Sequence, residues 1–197
     1  MAKKTIRMQA CEFPFYETII LEDDHVRLRP LKTDDLEALT SYVHDDPELF
    51  RFALTPMNTE GDLKEYISSA LLQQQKKLEY PFVVIDKISG KIAGTTRFYL
   101  IDTIQRCLAI GYTWIGTEFH RTGLNRSMKA LMISYSLKEL GFERVEFRLD
   151  SENERSARAL EAIGALKEGQ LRSHMFRADG TRRDTLIYSI LKNDLVK

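Results

Sequence analysis

Residues 107–126 restrict the fold of this chain more than any other stretch, because an apolar strand runs directly into a short glycine-containing loop. A long helix follows the loop, and Gly141 is its predicted stop. The first N–H groups of a helix have no partner within the helix, and the helix dipole favours negative charge there. The loop is therefore predicted to bind an anion, which we interpret as the pyrophosphate of a coenzyme.

The surrounding elements follow the order β-α-α-β-β-β-α-β-α-β-β. Strands are predicted at residues 25–29, 82–86, 92–101, 107–115, 145–149, 166–176 and 184–191, with a further short one at 17–21. Helices are predicted from Thr33 as a cap, from residue 58 or 59 to 77, over 123–140, and over 153–163 after a Ser151–Glu154 capping box. Three of the strands form a meander, which excludes a pure doubly wound sheet.

Composition indicates one globular domain, which we place at residues 24–197 behind an N-terminal extension, residues 1–23. The 197 residues include 29 basic and 29 acidic side chains, so bulk attraction to nucleic acid or an anionic membrane is not expected. No apolar run approaches membrane-spanning length, and the basic start at residues 1–4 has no signal core behind it. Cys11 and Cys107 lie far apart, which fits a reducing compartment, so a cytoplasmic protein is predicted.

The loop lacks both the Gly-Lys-Ser/Thr ending of a nucleotide P-loop and the Gly-x-Gly-x-x-Gly of a dinucleotide fold. It fits the looser pattern Gln/Arg-x-x-Gly-x-Gly/Ala, with His120 and Asn125 replacing the usual first and last residues around Gly123. The alternative to a coenzyme-binding loop is an ordinary strand–helix turn beside a basic residue. At these residues the chain resembles the GCN5-related N-acetyltransferases, the GNAT family, and within it the Rim-type ribosomal-protein N-terminal acetyltransferases.

A second motif, Asn153-Glu154-Arg155-Ser156, resembles the Asn-x-x-Ser helix of the same family. The resemblance implies that Asn153 contacts the pantetheine arm of acetyl-CoA and that Ser156 lies near the thioester sulfur. The alternative is that both residues only cap an ordinary helix.

The resemblance implies an α+β fold, an α/β/α sandwich around a mixed, mostly antiparallel sheet of about seven strands with about four helices. The resemblance also implies that the sheet is splayed between strands four and five, residues 107–115 and 145–149. The pantetheine arm would then bond to backbone amides near Trp114 and Ile115. The implied co-substrate is acetyl-CoA, and no metal is expected. The residues implied to bind it in the loop are His120, Arg121, Thr122, Gly123, Leu124, Asn125 and Arg126.

The implied reaction is direct attack of an amine on the thioester carbonyl, with Ser156 returning a proton to the CoA thiolate. His174 is the candidate base because its ordinary pKa suits proton transfer, and Glu118 is a second candidate. Some Rim-type enzymes carry a catalytic Glu where Met175 stands here. A basic cluster of Arg172, Arg177, Arg182 and Arg183 is either a solvated face or a site for an acidic peptide or the CoA 3′-phosphate.

The resemblance therefore implies an acetyl-CoA-dependent N-acetyltransferase acting on a protein N-terminal α-amine or a small amine. The alternatives are an acyl-CoA-binding GNAT module without efficient catalysis, and a nucleotide-binding regulator, which the absent Lys-Ser/Thr disfavours. Exposed strand edges near the C-terminus would allow a homodimer. No membrane or direct nucleic-acid partner is expected.

Overall fold

The computed structural model of the chain describes residues 10–196, so the predicted basic start at residues 1–4 lies outside the described residues. The strands of this part are β1 Leu21–Glu22, β2 Val26–Pro30, β3 Tyr80–Asp86, β4 Ile92–Asp102, β5 Cys107–Ile115, β6 Arg144–Asp150, β7 Leu166–Phe176 and β8 Arg182–Leu191. Its helices are α1 Leu36–Asp45, α2 Glu60–Gln75, α3 Leu124–Ser134 and α4 Glu154–Glu161.

The strands form a single sheet in the order β1-β2-β3-β4-β5-β6-β8-β7. Neighbouring strands are antiparallel except β5 and β6, which are parallel. The meander β3-β4-β5 and the mixed sheet confirm the predicted fold class. The sheet has eight strands where about seven were predicted, and the eighth, β1, lies at the end of the further short strand predicted at residues 17–21.

β1 is shorter than the strand predicted at residues 17–21, and it starts where that strand was expected to end. The Tyr80 hydroxyl explains the difference, because it accepts from the Ile19 amide at 3.0 Å and donates to the Glu17 carbonyl at 2.7 Å. Because these two backbone groups bond to a side chain, they do not form hydrogen bonds with a neighbouring strand. Only Leu21 and Glu22 pair with β2.

Helices cover both faces of the sheet, as the predicted α/β/α sandwich requires. Tyr66 of α2 bonds to Thr95 of β4, whereas Met132 of α3 contacts the next residue, Thr96. Successive strand residues point to opposite faces, so α2 and α3 lie on opposite sides. We call these the α2 face and the α3 face. α4 lies on the α3 face, where Glu161 accepts from Tyr188 of β8.

The parallel ladder between β5 and β6 stops at Ala109 and Glu146, which confirms the predicted splay. A β-bulge explains why the strands separate. Tyr112 has φ +51°, and the register of β5 against β4 shifts between Thr95 and Arg97. A bulge bends its strand and increases the local twist, so the end of β5 diverges from β6 and leaves a gap in the sheet.

The helix predicted over residues 123–140 ends earlier, at Ser134, and continues as one π-helical turn, Tyr135–Glu139. The Ser136 hydroxyl donates to the Met132 carbonyl at 2.7 Å, and the Leu140 amide reaches back five residues to Tyr135. A side-chain hydroxyl that competes for a helix carbonyl weakens the regular backbone hydrogen bonding of the helix. The apolar pattern of the sequence did not reveal this change to a π-helical turn.

The predicted Thr33 cap is also wrong. Thr33 lies inside a short 3-10 turn, Thr33–Asp35, that precedes α1. Asp35 instead accepts from the Lys32 amide at 2.8 Å and is fixed by Arg29 at 2.6 Å. A buried carboxylate held by an arginine binds the free amide more firmly than a neutral hydroxyl would.

Candidate functional site

A cleft of about 1420 Å³ occupies the gap between β5 and β6 and reaches both faces of the sheet. Most of the residues predicted for the site line it. These are Trp114, Ile115, His120, Arg121, Gly123, Asn125, Arg126, Asn153, Ser156 and His174. Two others do not line it. The Leu124 side chain is buried in the core, and the Thr122 hydroxyl donates to the Phe119 carbonyl and accepts from the Leu124 amide.

The loop between β5 and α3 is built around Gly123, which has φ +94° at the start of the helix. A Cβ placed there would meet no atom within 4 Å, so the backbone faces open space. Gly123 has no side chain to cap the helix, and the first helical N–H groups lack intrahelical acceptors. The residues that follow, Asn125 and Arg126, line the cleft, and this arrangement fits a phosphate group.

His120 joins the loop to both neighbouring elements. Its Nε2 lies 2.8 Å from the Ile115 carbonyl oxygen, and its Nδ1 lies 3.2 Å from Nη1 of Arg155 on α4. A carbonyl can only accept and a guanidinium can only donate, so Nε2 carries the proton and Nδ1 accepts. His120 therefore holds the end of β5 against α4, in addition to lining the cleft.

Trp114 fixes the end of β5 from the α2 face. Its indole packs edge-on against Tyr42 of α1 at 5.6 Å and against Phe50 at 5.2 Å. Its Nε1 is buried without a hydrogen-bond partner among the described residues. A buried indole N–H without a partner is costly, so this donor is available to a ligand in the cleft.

Asn153, not Ser151, caps α4, which corrects the predicted capping box. The Asn153 Oδ1 accepts from the Ser156 amide at 3.0 Å. The Ser156 side chain lines the cleft, and its hydroxyl has no hydrogen-bond partner among residues 10–196. The helix thus places one free hydroxyl at the cleft wall.

We expect Asn153→Ala to lower the free energy of unfolding by about 1 kcal/mol, because the cap of α4 is lost. Asn153→Asp keeps an oxygen acceptor and should stay within about 0.5 kcal/mol of the wild type. Urea denaturation of the three proteins measures both values. Equal stability of the Ala and Asp variants would contradict the capping role.

The wall of the cleft is strongly cationic. Seven basic side chains line it, of which Arg148 and Arg158 are paired with Glu146 and Glu154; the full set is Arg121, Arg126, Lys129, Arg148, Arg155, Arg158 and Arg183. Two carboxylates line it, and both bind arginines: Glu79 lies 2.8 Å from Arg97, and Asp150 lies 2.7 Å from Arg177. A cleft with this balance of charge attracts an anionic ligand and holds no carboxylate free to act as a base.

Lys129 is a cleft residue that the sequence analysis missed. It lies on α3 with only 6% of its surface exposed, and its Nζ stands 5.3 Å from the Phe147 ring centre. Burial lowers the pKa of Lys129 to about 8. The available signal was its spacing, since Lys129 precedes buried Ile133 by four residues and thus shares its face of the helix.

His174 lines the opposite part of the cleft, on β7. Its Nδ1 lies 3.1 Å from the Thr185 hydroxyl of β8. β7 is irregular here, with Ser173 at φ +49° and a register shift between Leu171 and Met175. The irregularity brings both His174 and Met175 to the cleft. Glu118, the second candidate base, is exposed and is not among the residues that line it.

The predicted basic cluster divides into four separate environments. Arg172 is exposed, and Arg182 stacks on Phe176 at 4.5 Å. Arg177 binds Asp150 and lines a smaller cavity of about 230 Å³ beside the main cleft. Arg183 alone of the four is buried and lines the main cleft.

The described residues contain no group of three or more His, Cys, Asp and Glu side chains arranged to hold a metal ion. Among the same residues, no helix has both the length and the apolar character needed to cross a membrane.

Comparison with known proteins shows the family to which the chain belongs. The family model for the acetyltransferase (GNAT) domain matches residues 25–166. The chain is 30% identical to the uncharacterized N-acetyltransferase YoaA of Bacillus subtilis, over 88% of this chain and 97% of YoaA. It is 32% identical over 105 residues, 53% of this chain and 56% of the relative, to B. subtilis YdaF, which is provisionally named a ribosomal N-acetyltransferase. A crystal structure of a GCN5-related N-acetyltransferase from Brucella melitensis superposes with a TM-score of 0.85 at 28% identity, covering 95% of this chain and 84% of that one.

Proposed function

We propose that this chain, which belongs to the GNAT family of acetyltransferases, transfers an acetyl group from acetyl-CoA directly to a primary amine bound in the cleft. The observation that carries the proposal is the cationic cleft between the splayed strands, with the glycine start of α3 at its edge. Acetyl-CoA carries phosphates, a polar pantetheine arm and a small acyl group. The basic residues of the cleft suit the phosphates, and the gap between the strands suits the arm.

The donor would lie along the α3 side of the cleft. Its pyrophosphate fits the start of α3 at Asn125 and Arg126, with Arg121, Arg126 and Arg155 supplying positive charge. Its pantetheine arm fits the gap beside the backbone of Trp114 and Ile115, which β6 leaves free. An amide at the end of β5 would also face the oxygen that becomes negative in the tetrahedral intermediate.

The chemistry requires a neutral amine. An α-amine has a pKa of about 7.7–8.0, so removing its proton at neutral pH costs only about 1–1.4 kcal/mol. A lysine amine near 10.4 costs about 4.6 kcal/mol on the same scale. Because the carboxylates that line the cleft are already ion-paired, the site favours an α-amine, with His174 as the base. A protein N-terminus fits this preference.

Ser156 would donate a proton to the departing CoA thiolate. We expect Ser156→Ala to lower turnover about 100-fold while changing acetyl-CoA affinity less than about threefold, because only the transition state uses the hydroxyl. Ser151→Ala is the matched control, since Ser151 lies one residue beyond β6 and does not line the cleft. Turnover is measured as thiol release and affinity by calorimetry. An unchanged rate in Ser156→Ala would remove this residue from the mechanism.

Thermal stability in the presence of acetyl-CoA, CoA or ATP tests the donor assignment. Acetyl-CoA and CoA should raise the melting temperature, whereas ATP should raise it less because it lacks the pantetheine arm. No shift with acetyl-CoA or with CoA would refute the proposal. Binding without thiol release across a panel of amines and peptides would instead favour an acyl-CoA-binding regulatory module.

A further inference from the structure

Arg183 lies on the face of the sheet away from the proposed donor site. In the β6–β8 register Asp150 pairs with Thr185, and Arg183 precedes Thr185 by two residues. Arg183 therefore shares a face with Asp150 and, by the same alternation, with Arg148. Phe147, which lies under Lys129 of α3, points to the other face. Arg183 thus stands on the α2 face, opposite the α3 side of the cleft on which the donor is proposed to lie.

Among the described residues, the guanidinium of Arg183 forms no ion pair. Only 6% of the residue is exposed, its Nε is buried without a hydrogen-bond partner among the described residues, and its Nη2 lies 3.8 Å from the sulfur of Met175. The nearby carboxylate, Asp150, is already used, because both its oxygens accept from Arg177 at 2.7 and 3.0 Å. Burial of the cation without a bound anion lowers the pKa of Arg183 from its ordinary value.

Apart from Asp150, the groups that face Arg183 supply no unpaired negative charge. His174 bonds to Thr185, Arg148 is held by Glu146 at 2.7 Å, and Tyr99 is a neutral phenol whose pKa burial raises. A buried cation is costly unless an anion binds it, and here the open side of the cleft is the remaining place for one. A purely cationic acceptor, such as a polyamine, would instead meet repulsion.

We propose that the acceptor is a primary amine that also carries a carboxylate or a phosphate, and that Arg183 binds this anionic group as the specificity residue for the acceptor. The inference rests on the proposed function of the same cleft. A guanidinium recognises the planar carboxylate or the phosphate through paired, charge-assisted hydrogen bonds. The anion could be the α-carboxylate of a small amino acid, an acidic side chain next to a peptide N-terminus, or a phosphate.

Matched pairs of acceptors test the proposal on the wild-type protein. The pairs are alanine and alaninamide, Ser-Glu-Ala-Ala and Ser-Gln-Ala-Ala with amidated C-termini, and phosphoethanolamine and ethanolamine. We expect kcat/KM, calculated for the neutral amine from the measured amine pKa of each acceptor, to favour the anionic member by about 10- to 100-fold in at least one pair, the range for a hydrogen bond to a charged group. The pair that discriminates identifies the source of the anion. Equal kcat/KM values in all three pairs would overturn the proposal.

Three variants then assign the preference to Arg183. Arg183→Gln should raise KM for the anionic acceptor about 10- to 100-fold, leave its neutral partner within about threefold, and leave acetyl-CoA affinity unchanged. Arg183→Lys should restore part of the preference, and Arg182→Gln, which changes the exposed neighbour, should retain it all. Equal losses on both members of a pair would overturn the assignment.

Two measurements, acetyl-CoA binding and the acetylation of neutral amines, distinguish failure of the proposed function from failure of the role assigned to Arg183. If acetyl-CoA binds and neutral amines are acetylated as well as anionic ones, only the assignment of Arg183 fails. If acetyl-CoA does not bind, the proposed function fails. Calorimetry of each acceptor pair on the CoA-bound protein measures the anion preference without any chemistry, so a slow reaction does not hide it.

Discussion

Gly94→Ala is expected to lower the free energy of unfolding by about 3 kcal/mol or more, the largest loss that we expect from a single methyl group in this chain. Gly94 has φ +153°, a conformation that L side chains rarely adopt. A Cβ there would overlap the carbonyl oxygen of Trp114 and stand 3.0 Å from the Ile115 Cα. Backbone strain and overpacking each cost about 1–3 kcal/mol, and here they add.

The same substitution should weaken acetyl-CoA binding, because the overlapping atoms belong to the end of β5 that lines the cleft. Urea denaturation measures the stability, and calorimetry with CoA measures the affinity. Gly61→Ala is the control, since a Cβ on this residue of α2 meets its nearest neighbour at an ordinary 3.5 Å. A Gly94→Ala variant as stable as the wild type would show that β4 and β5 approach each other less closely than the structure indicates.

Lys129→Met is expected to raise the free energy of unfolding of the ligand-free protein by about 3 kcal/mol at neutral pH. Burial lowers the pKa of Lys129 from 10.5 to about 8, and such a lowering corresponds to about 3 kcal/mol. Below about pH 8 the lysine is charged in both states, so the folded state carries the full penalty. Methionine has a similar length and no charge, so it removes that penalty.

The stability difference between Lys129→Met and the wild type is expected to depend on pH. Between about pH 8 and 10.5 the unfolded chain holds the proton and the folded chain has lost it, so the wild type gains stability as pH rises. The advantage of Lys129→Met should therefore shrink towards zero over that range. Lys138→Met, at an exposed position just after α3, should change stability by less than about 0.5 kcal/mol at every pH. An advantage that does not vary with pH would contradict the burial of this cation.

The parts of the site that are local in sequence could be predicted from it. The strand before the loop, the glycine that starts α3 and the Asn153–Ser156 turn depend on backbone preferences of a few adjacent residues. Their patterns are therefore visible without the fold. The same holds for the meander, which short turns specify.

The charges of the site could not be predicted in the same way, because they depend on partners distant in sequence. The four arginines between residues 172 and 183 look alike in the sequence. Asp150, 27 residues before Arg177, determines that Arg177 is paired and Arg183 is not. Likewise His120 matches a coenzyme motif by position, yet its bond to Arg155 crosses 35 residues. Sequence spacing alone does not specify such contacts.

Transfer of an isotopically labelled acetyl group tests the proposed activity most directly. The full chain is incubated with acetyl-CoA labelled in the acetyl group and with the matched amines, and the products are weighed by mass spectrometry. We expect the label on the amine nitrogen, in an amount equal to the CoA released, with little free acetate. Bound acetyl-CoA whose label stays on the thioester, or appears only as acetate, would contradict acetyl transfer to an amine in this cleft.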